Sequence, residues 1–241
     1  MSIKRDKWMQ YCILNDTSSL AARLPETRLL NPNGLAKLLL QYQSLVLKPR
    51  DGRFGRDILF ITRNGTNSYH IHNEKKTVTM KDTEQLLKWI GKKTRRRRGY
   101  IVQRRLQLAQ IQHKPFDIRI MVQRRKGTSS TWKVTGSYAK VAARGYLITN
   151  VPSHIIPVSE ALKLARIGDR GLIFKIKQIA LLAAERLGER YPKLRQVGFD
   201  IGIDRNRRIW IIEGNYWPDL LPFRSLKDSS MYRRILWYQK H

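Results

Sequence analysis

The sequence is short of acidic residues and of cysteine. Its 241 residues include 18 Asp and Glu against 48 Lys and Arg, which gives a formal net charge of +30 and a pI near 10.8. The single cysteine, Cys12, excludes an intramolecular disulfide and every multi-cysteine zinc site. Five scattered histidines provide no metal-ligand spacing. An excess of positive charge this large predicts attraction to polyanions such as nucleic acid, nucleotides or acidic polymers.

Long apolar runs are also absent. No stretch approaches the roughly 20 apolar residues that a membrane span requires, and Met1–Trp8 has no signal-peptide core. We therefore expect no membrane insertion and a cytoplasmic location. Hydrophobic residues make up 41% of the chain, which indicates a globular protein with one large domain or two small lobes.

A Walker A motif is missing, but a lysine lies at the end of a predicted buried strand. Leu45–Leu47 is followed by Lys48 and by a loop that contains Gly52 and Gly55. The lysine ammonium and the backbone N–H groups of such a loop can contact phosphate oxygens from two sides. The alternative interpretation is an ordinary Pro/Gly connection between two strands.

Near the end of the chain, the pattern predicts a β-hairpin. Val197–Ile203 alternates apolar and small residues, and Ile209–Ile212 is rich in β-branched residues. The intervening Asp204–Arg208 has turn composition, with Asn206 able to adopt the left-handed conformation.

Three oxygen-bearing side chains lie at the ends of this hairpin. Glu213 and Asn215 are two residues apart and point to the same face of a strand, while Asp200 on the partner strand is expected roughly opposite them. Two carboxylates and an amide suit Mg²⁺ or Mn²⁺. Two acids that face each other beside a buried strand are costly unless a cation neutralises them. The alternative is a strand-end residue and a surface charge.

This arrangement resembles the metal-binding hairpin of the ATP-grasp superfamily. Phe-Asp-Ile-Gly-Ile-Asp and Ile-Trp-Ile-Ile-Glu-x-Asn-x-x-Pro are similar to segments of YheC/YheD-type, endospore coat-associated proteins, as is Leu-Pro-Glu-Thr-Arg at 24–28. The resemblance implies an α+β ATP-grasp fold, in which two α+β lobes with antiparallel sheets clasp a nucleotide. It implies a lid or small lobe at 1–100 and a large lobe with the metal hairpin at 101–241. The pre-grasp domain that often precedes such a chain is expected to be missing.

The resemblance also assigns nucleotide contacts along the chain. The implied contacts are Lys7, Lys48, Gly52, Arg53, Gly55, Gln103, Arg105, Leu106 and Asp117. Among these, Gln103 corresponds to the polar adenine contact of the hinge and Asp117 to the ribose contact. Two departures from the family pattern, Arg53 for a small residue and Asp57 for a common glycine, indicate a stiffer phosphate loop.

Arg119, Lys140 and Arg144 are the residues that the resemblance places at the transferring phosphoryl group. Asp200, Glu213 and Asn215 are the implied Mg²⁺ or Mn²⁺ ligands, and ATP is the implied nucleotide. The expected activity is that of a carboxylate–amine or carboxylate–thiol ligase acting through an acyl-phosphate on an unknown carboxylate substrate, one that the positive charge suggests is acidic or polymeric.

Two other functions are compatible with the sequence. One is a non-catalytic scaffold that associates with spore-coat proteins or an anionic polymer, since the glycine pair usual after Asn150 is absent. The other is polyanion or nucleic-acid binding. The most basic run, Lys92–Arg98, is predicted to be a solvated loop, and no aromatic residues are interleaved with it for base stacking.

Overall fold

The computed structural model describes residues 6–52, 55–73, 76–95, 99–127, 131–143, 149, 152–167 and 170–241. The chain forms two compact units, and each is described by itself. The smaller unit contains Arg5–Tyr11 and Pro25–Leu106, and the larger contains Cys12–Leu24 and Gln107–His241.

The described chain contains both helices and strands, and most of the strands follow one another directly in sequence. The helices are α1 (Lys7–Asn15), α2 (Ser18–Ala21), α3 (Pro32–Gln41), α4 (Thr83–Thr94), α5 (Val158–Leu164), α6 (Arg170–Arg190), α7 (Leu221–Arg224) and α8 (Ser230–Lys240). The strands are β1 (Thr27–Leu29), β2 (Ser44–Pro49), β3 (Leu59–Asn64), β4 (Ser68–Asn73), β5 (Lys76–Met80), β6 (Tyr100–Arg104), β7 (Gln110–Ile111), β8 (Lys114–Gln123), β9 (Lys133–Ala142), β10 (Pro152–Ile156), β11 (Gln196–Ile203) and β12 (Ile209–Asn215). None of the described helices has the length and apolar character needed to span a membrane.

The smaller unit is built on a six-stranded antiparallel sheet in the order β1-β6-β2-β3-β4-β5. Side chains of β2 and β3 pack with those of α3 and α4 in one buried cluster. Both helices begin at a side-chain cap: Asn31 accepts from the N–H of Gly34 at 2.7 Å, and Asp82 accepts from Gln85 at 2.8 Å. These caps stabilise the N-termini of the two helices that pack against the sheet.

A second antiparallel sheet, in the order β10-β9-β8-β11-β12 with β7 paired to β8, forms the larger unit. One face packs on α6, where Ile118, Ile120 and Phe199 meet Ile176 and Ala180. On the other face, α7 and α8 cover one end. That contact buries the side chains Met121, Tyr138, Phe223 and Ile235. The rest of that face carries charged residues.

The predicted fold class is confirmed, and the structure differs from the sequence analysis in two local details. The left-handed residue in the β11–β12 turn is Arg207, with φ of 62°, and not Asn206. Asp204 accepts hydrogen bonds from the backbone N–H groups of Asn206 and Arg208, and this local network sets the turn. The basic run at 92–98 is not all loop, because α4 continues to Thr94.

Candidate functional site

One face of the larger sheet carries charged side chains on four neighbouring strands. The register places Asp117 of β8 opposite Lys140 of β9, and Arg119 of β8 opposite Asp200 of β11. Asp200 is in turn opposite Glu213 of β12. Directly opposed residues of antiparallel strands point to the same side of a sheet, so these five side chains share one face. The apolar residues that alternate with them line the core against α6.

Asp200 is at the centre of this face. Arg119 binds it with two hydrogen bonds, from Nε to Oδ1 at 2.9 Å and from Nη2 to Oδ2 at 3.1 Å. Lys140 Nζ donates to Oδ1 at 2.9 Å, and Asn215 Nδ2 donates to Oδ2 at 3.3 Å. Each carboxylate oxygen therefore accepts two hydrogen bonds, which matches its lone pairs. Asp200 is only 8% exposed, so the two cations neutralise a charge that burial would otherwise make very costly.

Asp117 shares one of these cations. Lys140 Nζ lies 3.1 Å from Asp117 Oδ1, and the Thr149 hydroxyl donates to Oδ2. Lys140 therefore pairs with two buried carboxylates at once. Together with Arg119, this makes a balanced set of two negative and two positive side chains.

Burial and ion pairing act in opposite directions on the pKa values of this set. Burial alone would raise the pKa of Asp200, but Arg119 and Lys140 outweigh it and lower that pKa to about 2. Burial, together with the charge of Asp200, raises the pKa of Asp117 despite Lys140. Burial would lower the pKa values of Lys140 and Arg119, yet the carboxylates raise both. Burial raises the pKa of Tyr138, opposite Arg119, to about 12 despite both cations. Asp117 is thus the carboxylate of the set that takes up a proton most readily.

A glycine makes room for the arginine of this cluster. A Cβ atom at Gly198 would lie 3.2 Å from Arg119 Cδ and 2.7 Å from Pro218 Cβ. Any side chain at this position of β11 would therefore force Arg119 or the segment after β12 to move.

The predicted metal ligands share the same face. Gly198 is opposite Asn215, two residues from the Asp200–Glu213 pair, so Asp200, Glu213 and Asn215 point to one side of the hairpin. Glu213 and Asn215 are half-buried. The amide nitrogen of Asn215 donates to Asp200. A metal would be bound by the other amide atom of Asn215, the oxygen, which does not take part in this hydrogen bond. Two carboxylates and an amide fit a hard cation such as Mg²⁺, although one oxygen of Asp200 would first have to lose a hydrogen bond.

No group of three or more His, Cys, Asp or Glu side chains in the described ranges could hold a metal ion. The predicted ligand set is not a group of that kind, because an asparagine is its third member.

The smaller unit contains a second buried polar chain. Lys48 Nζ donates to Gln103 Oε1 at 2.8 Å, and Gln103 Nε2 donates to the Thr27 hydroxyl at 2.8 Å. The hydroxyl in turn donates to the carbonyl of Pro25 at 2.8 Å. The register of β1, β6 and β2 explains the contact, since Gln103 is opposite Thr27 on one side and Val46 on the other. Lys48 and Gln103, two predicted nucleotide contacts, are thus brought together.

The glycine loop after β2 is held by the start of α1. Lys7 Nζ donates to the carbonyl of Gly52 at 2.8 Å, and two hydrogen bonds join Arg50 to the Asp6 carboxylate. Gly55 has φ of 67°. Asp57, at the position where the family often has glycine, has φ of 61°, a conformation in which glycine costs less.

The remaining predicted residues differ in what the structure shows. Arg105 is held by its backbone N–H, which donates to Ser44 at 3.0 Å, and its guanidinium lies 5.2 Å from the centre of the Phe60 ring. A backbone contact to a ligand at Arg105 would therefore use the carbonyl. Leu106, next in the chain, is half-buried. The predicted sites Arg53 and Arg144 lie outside the described residues.

Three polar members of these clusters were not predicted. Thr27 is joined to Gln103 by pairing between strands distant in sequence, and Thr149 contacts Asp117 from a turn outside the strands. A linear pattern carries no signal for either contact. Tyr138 could have been found, because it is two residues before Lys140 on a strand and shares its face.

Comparison with known proteins identifies the family. The family model for YheC/D-like ATP-grasp proteins matches residues 3–241. The chain belongs to the YheC/D-like ATP-grasp family. Two curated relatives are the endospore coat-associated proteins YheD and YheC of Bacillus subtilis (strain 168). YheD is 26% identical over 223 residues, which cover 88% of this chain and 48% of YheD. YheC is 28% identical over 229 residues, which cover 88% of this chain and 60% of YheC. This family member therefore spans about half to three fifths of the curated relatives it matches.

The ATP-grasp fold is also seen in solved structures. The ATP-grasp ligase PsnB, in complex with a phosphomimetic variant of its minimal precursor, Mg and ADP, has a TM-score of 0.53 to this chain. The two are 14% identical, and the match covers 96% of this chain and 57% of PsnB. At this identity the likeness establishes the fold of the family member.

Proposed function

We propose that this YheC/D-like protein binds ATP with Mg²⁺ and acts as a carboxylate–amine or carboxylate–thiol ligase. The observation that carries the proposal is the shared face of β8, β9, β11 and β12, which combines two buried cations with a carboxylate–carboxylate–amide set. Membership of the ATP-grasp family supports the nucleotide, and its ligase structural neighbours support the reaction class.

On the larger sheet, Arg119 and Lys140 are the proposed phosphate contacts. Both remain charged at neutral pH because the neighbouring carboxylates raise their pKa values. Both are held in place by Asp200, so little reorganisation is needed when negative charge develops on a transferring phosphoryl group. Asp117, bridged to Lys140 and Thr149, is the proposed ribose contact. Arg144 is a proposed third cation.

The same face contains the proposed metal ligands Asp200, Glu213 and Asn215. When bound there, Mg²⁺ (or Mn²⁺) would neutralise phosphate charge and orient the phosphate oxygens. The chain's own contribution is to supply hard oxygen ligands beside two cations. We infer that, when the metal binds, either Arg119 or Asn215 gives up one hydrogen bond to Asp200 and donates instead to a phosphate or solvent acceptor.

In the smaller unit, we propose that Lys48 and Gln103 contact the nucleotide. Gln103 already uses its oxygen for Lys48 and one N–H for Thr27, which leaves its second N–H to donate to an acceptor such as an adenine ring nitrogen. Lys7, Gly52, Arg53 and Gly55 are the proposed phosphate-loop contacts, and Arg105 and Leu106 are the proposed backbone and apolar contacts to the base.

The proposed reaction has two steps. The carboxylate oxygen of the substrate takes the γ-phosphoryl group of ATP, which breaks the Pγ–O bond to ADP and forms an acyl-phosphate. An amine or thiol then attacks the acyl carbon, and inorganic phosphate leaves. The net charge of +30 favours an acidic or polymeric carboxylate. Spore-coat proteins are proposed partners and spore association the proposed location, because YheC and YheD are named endospore coat-associated.

Nucleotide binding is tested by thermal unfolding with and without Mg²⁺ and ATP. We expect Mg²⁺ and ATP together to raise the melting temperature of the wild type, since a ligand that binds only the folded state stabilises it. Glu213→Gln removes a metal ligand with little change in shape and should lose most of this rise. Glu185→Gln, an identical change at an exposed position of α6, is the matched control and should keep it. An equal rise in both variants would remove Glu213 from the site, and no rise in the wild type would refute nucleotide binding.

One observation favours a second candidate, the non-catalytic scaffold. The Asp117, Arg119, Lys140 and Asp200 charges balance without a metal, as a purely structural cluster would. Hydroxylamine, which traps acyl-phosphates as hydroxamates, distinguishes the two functions in an incubation with Mg²⁺, ATP and a panel of acidic peptides. ADP and hydroxamate formation that is lost in Glu213→Gln indicates a ligase, whereas ATP-dependent stabilisation with no ADP formed favours the scaffold.

A further inference from the structure

A cavity of about 260 Å³ in the larger unit has no lining residue in common with the Asp200 cluster. It forms where β8 ends at Gln123 and β11 begins at Gln196, which are paired, and where α8 passes these ends. Tyr216 and Trp217, the two residues directly after β12, complete its wall together with Tyr238 of α8. Three aromatic side chains from two segments thus surround one small space.

The three aromatic side chains differ in exposure. Trp217 is 54% exposed and lies edge-on to Tyr216, with 6.1 Å between the ring centres. Tyr216 is buried and packs on Tyr191, which anchors the wall to the core. Tyr238 is half-buried. An anchored aromatic wall with an exposed indole at its mouth is suited to stacking on a planar group.

Apart from Leu194, the other lining groups are cations and amides. Arg195 Nη2 donates to the carbonyl of Tyr238 at 3.0 Å, while its Nε is buried and makes no hydrogen bond to any described residue. Lys193 is exposed at the rim. Gln196 and Gln239 form a hydrogen bond of 3.0 Å with each other and offer further donors and acceptors. Among the described residues, no acidic side chain lines the cavity.

Positive charge continues beyond the rim. Arg124, Arg125 and Lys126 follow Gln123 in sequence, and Lys240 follows Gln239. The N–H of Lys126 donates to the carbonyl of His241, and Arg124 donates to the carbonyls of Leu194 and Pro192, which ties these basic segments to the edge of the cavity. A ligand seated between the aromatic rings would therefore extend over a surface that attracts anions.

We propose that this cavity binds one unstacked base of a single-stranded nucleic acid. Its volume is just below the range of about 300–1,000 Å³ typical of pockets for drug-sized ligands, so it suits one planar group of a larger molecule. Aromatic stacking and a basic groove are the two features that single-strand binding combines. Lys193 and Arg195 are the proposed phosphate contacts, and Trp217 and Tyr238 are the proposed stacking partners. Gln196 and Gln239 are the proposed hydrogen-bonding groups.

The test is a titration of a fluorescently labelled 12-nucleotide oligothymidylate, followed by anisotropy without ATP or divalent cations. Removal of a stacking partner typically weakens single-strand binding by about 5- to 100-fold per base. We therefore expect Trp217→Ala to weaken binding by at least about fivefold at fixed ionic strength. Phe174→Ala, which removes another exposed aromatic ring that is 62% exposed on α6, should leave binding unchanged.

A salt titration supplies a second readout that does not depend on the indole. Lys193→Gln should reduce the slope of log K against log salt by roughly one phosphate contact, about 0.7 for a single strand. Lys227→Gln makes the same change in net charge at an exposed position outside the cavity and should reduce the slope less. Circular dichroism and melting temperature establish that each variant is folded.

Three results would overturn the proposal. Equal affinities of Trp217→Ala and Phe174→Ala would remove stacking in the cavity. Polyphosphate, which has no bases, should bind more weakly than the oligonucleotide. If it binds as tightly, and if Trp217→Ala weakens its binding equally, the cavity is a site for anions alone. Tighter binding of a duplex than of the single strand would indicate recognition of the phosphate backbone.

Discussion

The buried charges on the larger sheet should depend on one another far more strongly than charges at the surface. Asp117, Arg119, Lys140 and Asp200 sum to zero, and the side chains of Lys140 and Asp117 are only 9% and 7% exposed. Lys140→Met leaves one uncompensated negative charge, and Asp117→Asn leaves one uncompensated positive charge. Lys140→Met should destabilise the fold by about 3–5 kcal/mol, the usual cost of breaking a buried ion pair. Asp117→Asn should cost less, because the fold raises the pKa of Asp117 and therefore already disfavours its charged form.

The double variant Lys140→Met/Asp117→Asn restores neutrality. It should therefore be less destabilised than Lys140→Met alone, with a coupling free energy of about 3 kcal/mol between the two positions. The control is a second cycle on the Arg186–Glu189 pair of α6, where the N–O distance is 2.9 Å but the side chains are 42% and 61% exposed. Its coupling should stay below about 1 kcal/mol.

Urea unfolding at pH 7 measures both cycles. Tryptophans lie in both units, so fluorescence and circular dichroism are followed together, and their transitions must coincide before free energies are compared. A coupling at Lys140 and Asp117 no larger than that of the surface pair would refute the view that these charges balance each other.

Three further predictions concern single positions. Because the folded pKa of Asp117 is raised, wild type should gain stability relative to Asp117→Asn as the pH falls from 7 through that pKa. Because the pKa of Asp200 is lowered from 3.8 to about 2, wild type should lose roughly 2 kcal/mol relative to Asp200→Asn as the pH falls from about 4 towards 2. Urea unfolding across this pH range checks both signs. Gly198→Ala should destabilise the fold by about 1–3 kcal/mol, because its Cβ clashes with Pro218 and Arg119. Gly91→Ala in α4, where a Cβ meets nothing within 4 Å, should instead stabilise the fold by about 0.5–1 kcal/mol. Thermal melts that rank the two variants the other way would contradict this. Gln103→Leu removes the acceptor of Lys48 and a donor to Thr27 and should cost about 1–3 kcal/mol in urea unfolding, while Gln41→Leu at an exposed position should stay within about 0.5 kcal/mol.

Local patterns were enough to predict the hairpin and the face that its polar side chains share. Alternation along β8 and the length of the β11–β12 turn place Asp117 and Arg119 on one face and bring Asp200 opposite Glu213. These features depend on the period of two along a strand and on a short connection, both of which can be read from the sequence.

Pairing between distant segments could not be predicted in the same way. The sequence indicates that the acids of the hairpin need a cation to neutralise them, and it predicts a metal ion in that role. The structure supplies Arg119 and Lys140 to Asp200, because β11 lies beside β8 and β8 beside β9. Likewise, the aromatic and basic residues around the cavity come from three separated segments. No single segment of the sequence combines these aromatic and basic residues, so no local motif indicates the cavity.

A crystal structure with Mg²⁺ and a non-hydrolysable ATP analogue would test the central proposal most directly. We predict that Mg²⁺ is bound at about 2.1 Å by oxygens of Asp200, Glu213 and Asn215, with phosphate oxygens within hydrogen-bonding distance of Arg119 and Lys140. A nucleotide whose metal has no ligand from β12, or whose phosphates contact neither Arg119 nor Lys140, would contradict it.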